Sequence, residues 1–477
     1  MSNKEIPKPE KKAFKMPNTW IVVFAMVVFV AILSWIVPPG QYDYVQVEVN
    51  GTMRNLAVDG SFHYIDKETT SPTGLFGIFR ALYTGTVEAS STIFMIMICC
   101  ASFRIMVRTG AFHAGIGVIM KKLGNKAVAL AVVLMIAFAL CGSVFGMLSE
   151  LYGFYPLIVG LGVALGYDAM FGFAILALGE YIGFTCGTLN PYNVAISQGI
   201  SEVAMYSNQG YRWLSFVVMV GIALIYLLHY GFKIRKDPTK SAVYGRPCIH
   251  SFGDGALDDY KLTRKDVLVL VDLLITLVIL MVGLMQYEWG NTQLCGLFIM
   301  MAAVAAIINR WSGDKFVDEF VEGIKGIAWG ALIAGISRAI LVVMNDAVIT
   351  DTVIHALAEL LKKAPSALSA QMILITQTII NLPISSATGQ AAVTMPIMAP
   401  LSDALGVSRD VACLAFQFGD GLGNLLTPLN GPMMGCLAMV GVSYSKYIKW
   451  AIKFLVIQYL VAAAITMGLS AAGWVGF

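Results

Sequence analysis

The chain has 477 residues, 58% of them hydrophobic and only 13% charged, with a mean hydropathy of +0.75, against roughly 25% charged residues in a soluble domain. That composition excludes a soluble globular protein, and recurring apolar runs of about 20 residues exclude a barrel of short alternating strands. The formal net charge of +3 lies in short loops beside apolar segments, where membrane orientation accounts for it, so nucleic acid is not an expected partner.

In chain order, residues 1–18 form a basic tail carrying Lys4, Lys8, Lys11, Lys12 and Lys15, which the positive-inside rule assigns to the cytoplasm. A full-length span from about Trp20 to Ile36 follows and ends in PPG. No small-residue cleavage site follows it, so an uncleaved first helix is expected, not a signal peptide. The polar stretch 39–72 is expected outside, and a second span, about 86–107, returns to Arg104 and Arg108. Residues 127–166 read as a re-entrant hairpin, because GMLSE interrupts two apolar stretches and the second is short for a crossing. A broken helix over 169–206, a span over 212–231 and a basic cytoplasmic loop over 232–265 follow. Then come spans near 266–286, 292–310 and 326–345, an interfacial helix over 347–363, a second hairpin near 368–404 and a second broken helix over 409–443. About ten or eleven membrane segments are expected in an all-α integral membrane protein.

Displacing the sequence by 240 positions brings Pro156 onto Pro396, Gly179 and Gly183 onto Gly419 and Gly423, Glu180 onto Asp420, and Asn190 onto Asn430. An ungapped register that pairs acid with acid and break with break argues for an internal repeat, 19–231 and 266–477. The charge rule makes the first hairpin enter from inside and the second from outside. The repeats are therefore expected to be inverted, an architecture that holds its substrate near the midplane at broken helices.

The breaks carry the chemistry. Pro428 and Pro432 in TPLNGP donate no backbone hydrogen bond, and GTLNPYN supplies the same device in the first half. Lipid offers the freed carbonyls and amides no partner, so protein, water, an ion or a substrate must meet them. Half-helix ends add fixed partial charge at that depth. The hairpin tips bring Ser149 and Glu150 from one half, and Ser385, Ser386, Thr388, Gly389 and Gln390 from the other. Asn190, Asn193 and Asn430 are candidate ligands that could also serve as helix caps. Glu150, Glu180 and Asp420 stand at membrane depth, where a charge costs about 2.5 to 3.5 kcal/mol and usually marks function. Arg104 and Arg338, also in apolar helices, are weighed as quiet ion-pair partners of these three acids, with dicarboxylate binding as the rival role for Arg338. His113, His229 and His355 read as structural. The eight cysteines form no CxxC or Cys/His ligand pattern, and no Walker, GxSxG or HExxH motif occurs. Neither an enzyme nor a cofactor is expected.

The stretches VFGMLSE, YPLIVGLGVALGYD, IGFTCGTLNPYNVAISQGI and SSATGQAAVTMPIMAPLSDALGVSRDVACLAFQFGDG resemble the YfcC-like carriers. Those are grouped with the DcuC-type anaerobic C4-dicarboxylate carriers in the ion transporter superfamily. The resemblance implies a secondary carrier of elevator type in a bacterial cytoplasmic (inner) membrane, with a homodimeric scaffold and a transport domain of two hairpins and two broken helices. It also implies sodium or proton coupling, with sodium transferable to Ser149, Glu150, Asn190, Asn193, Ser385, Ser386, Thr388, Thr427 and Asn430. Ser149, Asn190, Ser386 and Asn430 are the foremost of these. On the residues alone, three membrane-depth acids outweigh arginines that lie on other helices, which favours a cationic substrate. The expected function is antiport of cationic amino acids such as arginine, ornithine or lysine, with C4-dicarboxylate transport as the alternative.

Overall fold

A computed structural model describes residues 19–49, 51–66, 70–123, 127–245, 262–287, 289–363, 365 and 368–473. The tail 1–18 and residues 246–261 of the expected cytoplasmic loop, including Cys248, lie outside the described residues. The first half contains α1 (Thr19–Ile36), α2 (Leu75–Glu88), α3 (Ser90–Arg108), α4 (Ala111–Leu123), α5 (Ala127–Leu140), α6 (Phe154–Ala164), α7 (Ala169–Thr185), α8 (Ile196–Ile200) and α9 (Gln209–Lys236). The second contains α10 (Arg264–Tyr287), α11 (Asn291–Ile308), α12 (Gly313–Asp346), α13 (Thr350–Leu361), α14 (Ser369–Asn381), α15 (Ala387–Ala404), α16 (Arg409–Leu426), α17 (Gly431–Met439) and α18 (Tyr444–Ala471). Among the described residues seven helices are long and apolar enough to cross a membrane, and α1, α6 and α7 are shorter apolar helices.

The chain is mostly rather than wholly helical, which corrects the all-α expectation. Within the polar stretch 39–72, β1 (Gly40–Gln41) pairs antiparallel with β4 (His63–Tyr64), and β2 (Tyr44–Val49) with β3 (Thr52–Ala57). Asp351 at the start of α13 anchors this strap, accepting from the Tyr42 amide at 3.0 Å and the Tyr44 hydroxyl at 2.8 Å. The Gly40 amide donates to Val348 O at 2.9 Å, and the Thr352 hydroxyl to Pro38 O at 2.9 Å. His355 stacks on Phe62 at 3.9 Å and meets the Tyr42 hydroxyl at 3.1 Å, the structural role expected of it. From this anchor β3 reaches α15 and β2 reaches α8.

Two further elements differ from the sequence reading. The second span begins earlier, as α2, and is interrupted only at Ala89 before α3. Helix α4 was not anticipated, yet a displacement of 240 carries Ala111 onto Asp351, in α13. The long α12 packs along α2 and α3, and Gly85 there has no room for a side chain, since a Cβ would meet Ala339 N at 2.5 Å.

Glycines four residues apart set the position of both broken helices. A Cβ on Gly179 or Gly183 of α7 would come within 2.8 Å of Met135 O or 2.0 Å of Ala139 O on α5. On α16, Gly419 and Gly423 meet Gln377 Cβ at 2.8 Å and Asn381 Oδ1 at 2.5 Å on α14. Helices α7 and α16 then cross where a Cβ on Gly421 would lie 2.3 Å from Thr185 Oγ1. Small residues allow such backbone approach, and dispersion between the surfaces drives association where lipid supplies no hydrophobic force. Gly183→Val forces α5 away from α7 and is expected to cost about 1–3 kcal/mol. Its monodisperse fraction in size-exclusion chromatography and its thermal midpoint should both fall. Gly221→Ala, with nothing within 4 Å of the new atom, should leave both unchanged.

Candidate functional site

Helices α5 and α6 both pack against α7, and α14 and α15 both pack against α16. Helix α7 ends at Thr185 and α16 at Leu426, and the chain resumes after Asn190 and Asn430. Each asparagine caps the resumed segment. Asn190 Oδ1 accepts from the amides of Tyr192 at 2.8 Å and Asn193 at 3.3 Å, and Asn430 Oδ1 accepts from Met433 N at 2.8 Å. A cap satisfies amides that have no partner within the helix. These oxygens, read from sequence as candidate ligands, are thus engaged by the backbone. Asn193 donates to Phe184 O at 2.9 Å while its own Oδ1 is buried and unpartnered. Thr427 Oγ1 accepts from Leu429 N at 3.1 Å, which shapes the second break.

The second half surrounds Asp420 with amides. Asn381 Nδ2 lies 3.0 Å from Asp420 Oδ1, 3.2 Å from Gln390 Oε1 and 3.4 Å from Asn424 Oδ1. Asn424 Nδ2 reaches Asp420 Oδ1 at 3.2 Å, and Asn430 Nδ2 donates to Asn424 Oδ1 at 2.7 Å. Gln390 in turn donates to the Gln377 carbonyl and side-chain oxygens, both at 2.8 Å, and Thr394 closes the chain on Gln377. One network thereby connects α14, the first turn of α15, the helix α16 and the cap after the break.

The first half is built differently. Glu180 is fully buried and accepts from the Tyr155 hydroxyl at 2.6 Å, with its Oε2 unpartnered. Glu150, 8% exposed, accepts from Leu148 N at 3.0 Å. Ser149 opens the short turn that carries Glu150. The acids aligned by the 240-residue displacement therefore occupy separate surroundings, one of amides and one of tyrosines.

Near the breaks, contacts between the halves include the Thr185–Gly421 crossing and the Thr388 hydroxyl, which donates to Tyr192 O at 3.4 Å. Ser386 caps α15 by accepting from Gly389 N at 3.3 Å, with Ser385 just before it. Ser386 and Gly389 also line a cavity of about 430 Å³ together with Tyr44, Arg338, Asn345 and Asp351. Glu180 and Asp420 do not line it.

Arg104 pairs with Glu319 at 2.9 Å and Arg338 with Glu88 at 2.8 Å, and not with Glu150, Glu180 or Asp420, the partners weighed for them from sequence. The arginine at the breaks is one the sequence reading overlooked. Arg212 on α9 is 3% exposed and donates to Ser207 O at 3.2 Å, Gly187 O at 3.3 Å and Gln417 Oε1 at 2.5 Å. Gln417 returns bonds to Thr185 O at 2.9 Å and Gly187 O at 3.0 Å. A cation and an amide thus meet the negative C-terminal end of α7. After α16 the same task falls to the hydroxyls of Tyr444 and Tyr447, which donate to Leu426 O and Leu425 O. The sequence carried a signal for the second network, since Gln377 and Asn381 recur at helical spacing in the apolar run ITQTIIN.

The model of the family described as C4-dicarboxylate anaerobic carriers, DcuC, matches residues 16–471. The chain belongs to the DcuC family. It is a multi-pass membrane transporter. A protein of Escherichia coli K12 named "Putative basic amino acid antiporter YfcC" is 28% identical over 499 residues, covering 98% of both chains. An uncharacterized Haemophilus influenzae protein is 24% identical over 485 residues, 92% of this chain and 94% of that one. Among solved structures, the YdaH transporter of Alcanivorax borkumensis has a TM-score of 0.43 at 13% identity, covering 96% of this chain and 99% of that one. MtrF of Neisseria gonorrhoeae, from a class of antimetabolite efflux pumps, has a TM-score of 0.43 at 15% identity, covering 95% of both.

The arginines of this DcuC-family carrier separate by burial. Arg338 and Glu88 are about 40% exposed, and such pairs are worth about 0–1 kcal/mol. Arg212→Met takes the donor from the buried Gln417 Oε1 and from Ser207 O, and a buried acceptor left unmet costs about 1–3 kcal/mol. Thermal unfolding in detergent should therefore register a clear drop in midpoint for Arg212→Met and little change for Arg338→Met.

Proposed function

We propose that this chain is a secondary antiporter that exchanges cationic amino acids such as arginine, ornithine and lysine across a bacterial inner membrane. The observation that carries the reading is the charge balance at membrane depth. Glu150, Glu180 and Asp420 have no arginine among their hydrogen-bonding partners, while Arg104 and Arg338 are taken by Glu319 and Glu88. A substrate with two positive groups supplies what these carboxylates lack, and its own carboxylate suits amide-lined half-helix starts such as those after Asn190 and Asn430. The name of the E. coli relative supports the same substrate class.

In this reading the chain comprises two inverted repeats, 19–231 and 266–477, with the N-terminus in the cytoplasm, and works as an elevator with a homodimeric scaffold. Substrate is held between the tips, where Ser149, Glu150, Ser385, Ser386, Thr388, Gly389 and Gln390 converge with the breaks at Asn190, Asn193, Thr427 and Asn430. The buried Glu180 and Asp420 act beneath the tips. A second reading, C4-dicarboxylate transport coupled to protons or sodium, is favoured by the family's description and by Arg338, which lines the same cavity as Ser386 and Gly389.

Liposomes loaded with ornithine should take up labelled arginine, and external lysine should compete while succinate should not. Uptake indifferent to internal ornithine removes the exchanger, and competition by succinate alone reverses the substrate choice. Topology has its own test in a background lacking reactive native cysteines. Ser149→Cys should react with an impermeant thiol reagent from the cytoplasmic side and Ser386→Cys from the outside. Labelling of both from one side in every state refutes the inverted arrangement.

A further inference from the structure

We infer that the β2–β3 ribbon of the strap is a lid that opens and closes on α15 and α8 while the root of the strap stays fixed. The strap consists of two ribbons with opposite attachments. Its root, β1 with β4, is bonded to the turn between α12 and α13. Gly40 N donates to Val348 O at 2.9 Å, the Thr352 hydroxyl to Pro38 O at 2.9 Å, and Tyr42 N to Asp351 at 3.0 Å. Gly40 is wedged into this joint, since a Cβ there would lie 2.6 Å from Phe62 Cζ and 2.9 Å from Thr352 Oγ1.

The turn that receives the root is strained. Ile349 N donates to Met344 O and Val348 N to Asn345 O, the pair of bonds that closes a helix around a left-handed residue. Glycine commonly fills that place. Here it is Val348, at φ 54°, and a β-branched residue in that region persists only where its surroundings hold it. The bond from Gly40 is part of that hold, so the root and the turn secure each other.

The β2–β3 ribbon is attached on its near side alone. The Tyr44 hydroxyl reaches Asp351 at 2.8 Å, and Val58 N returns to Asp43 O at 2.8 Å. On the far side β3 packs against α15 and β2 against α8, and among the described residues no hydrogen bond or ion pair joins either strand to either helix. Two cavities flank the contact of the strap with α15, one of about 430 Å³ between Tyr44 and Val393 and one of about 250 Å³ between Phe62 and Ile397. Apolar surfaces hold each other through close packing, so a seat that is unbonded and bordered by voids is cheap to leave. The two helices beneath the ribbon come from different halves, and they adjoin the contact from Thr388 to Tyr192. The ribbon therefore lies beside the junction of the halves. That its opening admits cargo rests on the carrier reading, whereas the movement itself does not.

Full-length protein in a background lacking reactive native cysteines tests the lid with no cargo present. Val393→Cys, on the α15 wall of the larger cavity, should react with an impermeant thiol reagent severalfold faster when residues 46–55 are replaced by an Asn-Gly turn joining Val45 to Leu56. The thermal midpoint should stay unchanged. If the shortened strap does not fold, Tyr44→Phe, which removes the bond to Asp351, should speed labelling in the same direction. In liposomes, bridging Ala57→Cys to Val393→Cys with a short reducible cross-linker should stop counterflow of whichever cargo the native chain carries, and reduction should restore it. Bridging Phe62→Cys to His355→Cys at the root should leave counterflow intact. Labelling that is indifferent to both strap variants, full counterflow in the bridged Ala57–Val393 protein, or equal inhibition by the root bridge overturns the lid. A native chain that exchanges succinate and not arginine changes the cargo and leaves the labelling comparison as it stands.

Discussion

A backbone amide or carbonyl freed inside a membrane must find a partner in the protein, and both halves of this chain are organised around that requirement. The breaks at 186–190 and 427–430 are where it is most acute. Asn190 and Asn430 satisfy the amides of the resumed segments. The carbonyls left behind are met by Arg212 and Gln417 in one half, and by Tyr444 and Tyr447 in the other. The solution is thus shared at the amide end and divergent at the carbonyl end. A guanidinium adds charge opposite a helix C-terminus, whereas phenolic hydroxyls supply donors without charge.

The same divergence runs through the acids. Glu180 and Asp420 occupy matching places in the 240-residue register, yet tyrosine surrounds one and a continuous amide network the other. Two breaks of similar backbone construction can therefore do different chemistry. A shared sequence register need not impose matching roles on the side chains, because the glycine contacts that position the helices leave neighbouring positions free to vary.

Proline, glycine and charge made much of the framework legible. TPLNGP and GTLNPYN break helices because proline lacks a donor, and the structure interrupts its helices at those motifs. The strap over 40–64 was hidden because its strands are short and mostly exposed, although β2, YVQVEV, carries an alternation of valine with polar residues that went unread. Helix α4 was hidden because AFHAGIGVIMKKL lies between two stronger apolar runs and is too short to span. Asn381 and Arg212 went unread as site-forming residues for another reason: each lies at the edge of an apolar segment, where a polar residue is usually interfacial. Their importance comes from which distant helix they face, and a linear sequence does not display that.

The glycine contacts have a consequence for how this chain tolerates change. At Gly183 and Gly421 the obstacle is the first side-chain atom, which would lie 2.0 Å and 2.3 Å from Ala139 O and Thr185 Oγ1. Every other residue places that atom in the same direction, whatever follows it. The penalty at such a site is therefore nearly blind to the identity of the replacement, so alanine is excluded almost as firmly as tryptophan. An ordinary core position grades its substitutions by volume and polarity. These two instead behave as thresholds, and lineages of this chain would be expected to hold them fixed while the polar surroundings of Glu180 and Asp420 drift.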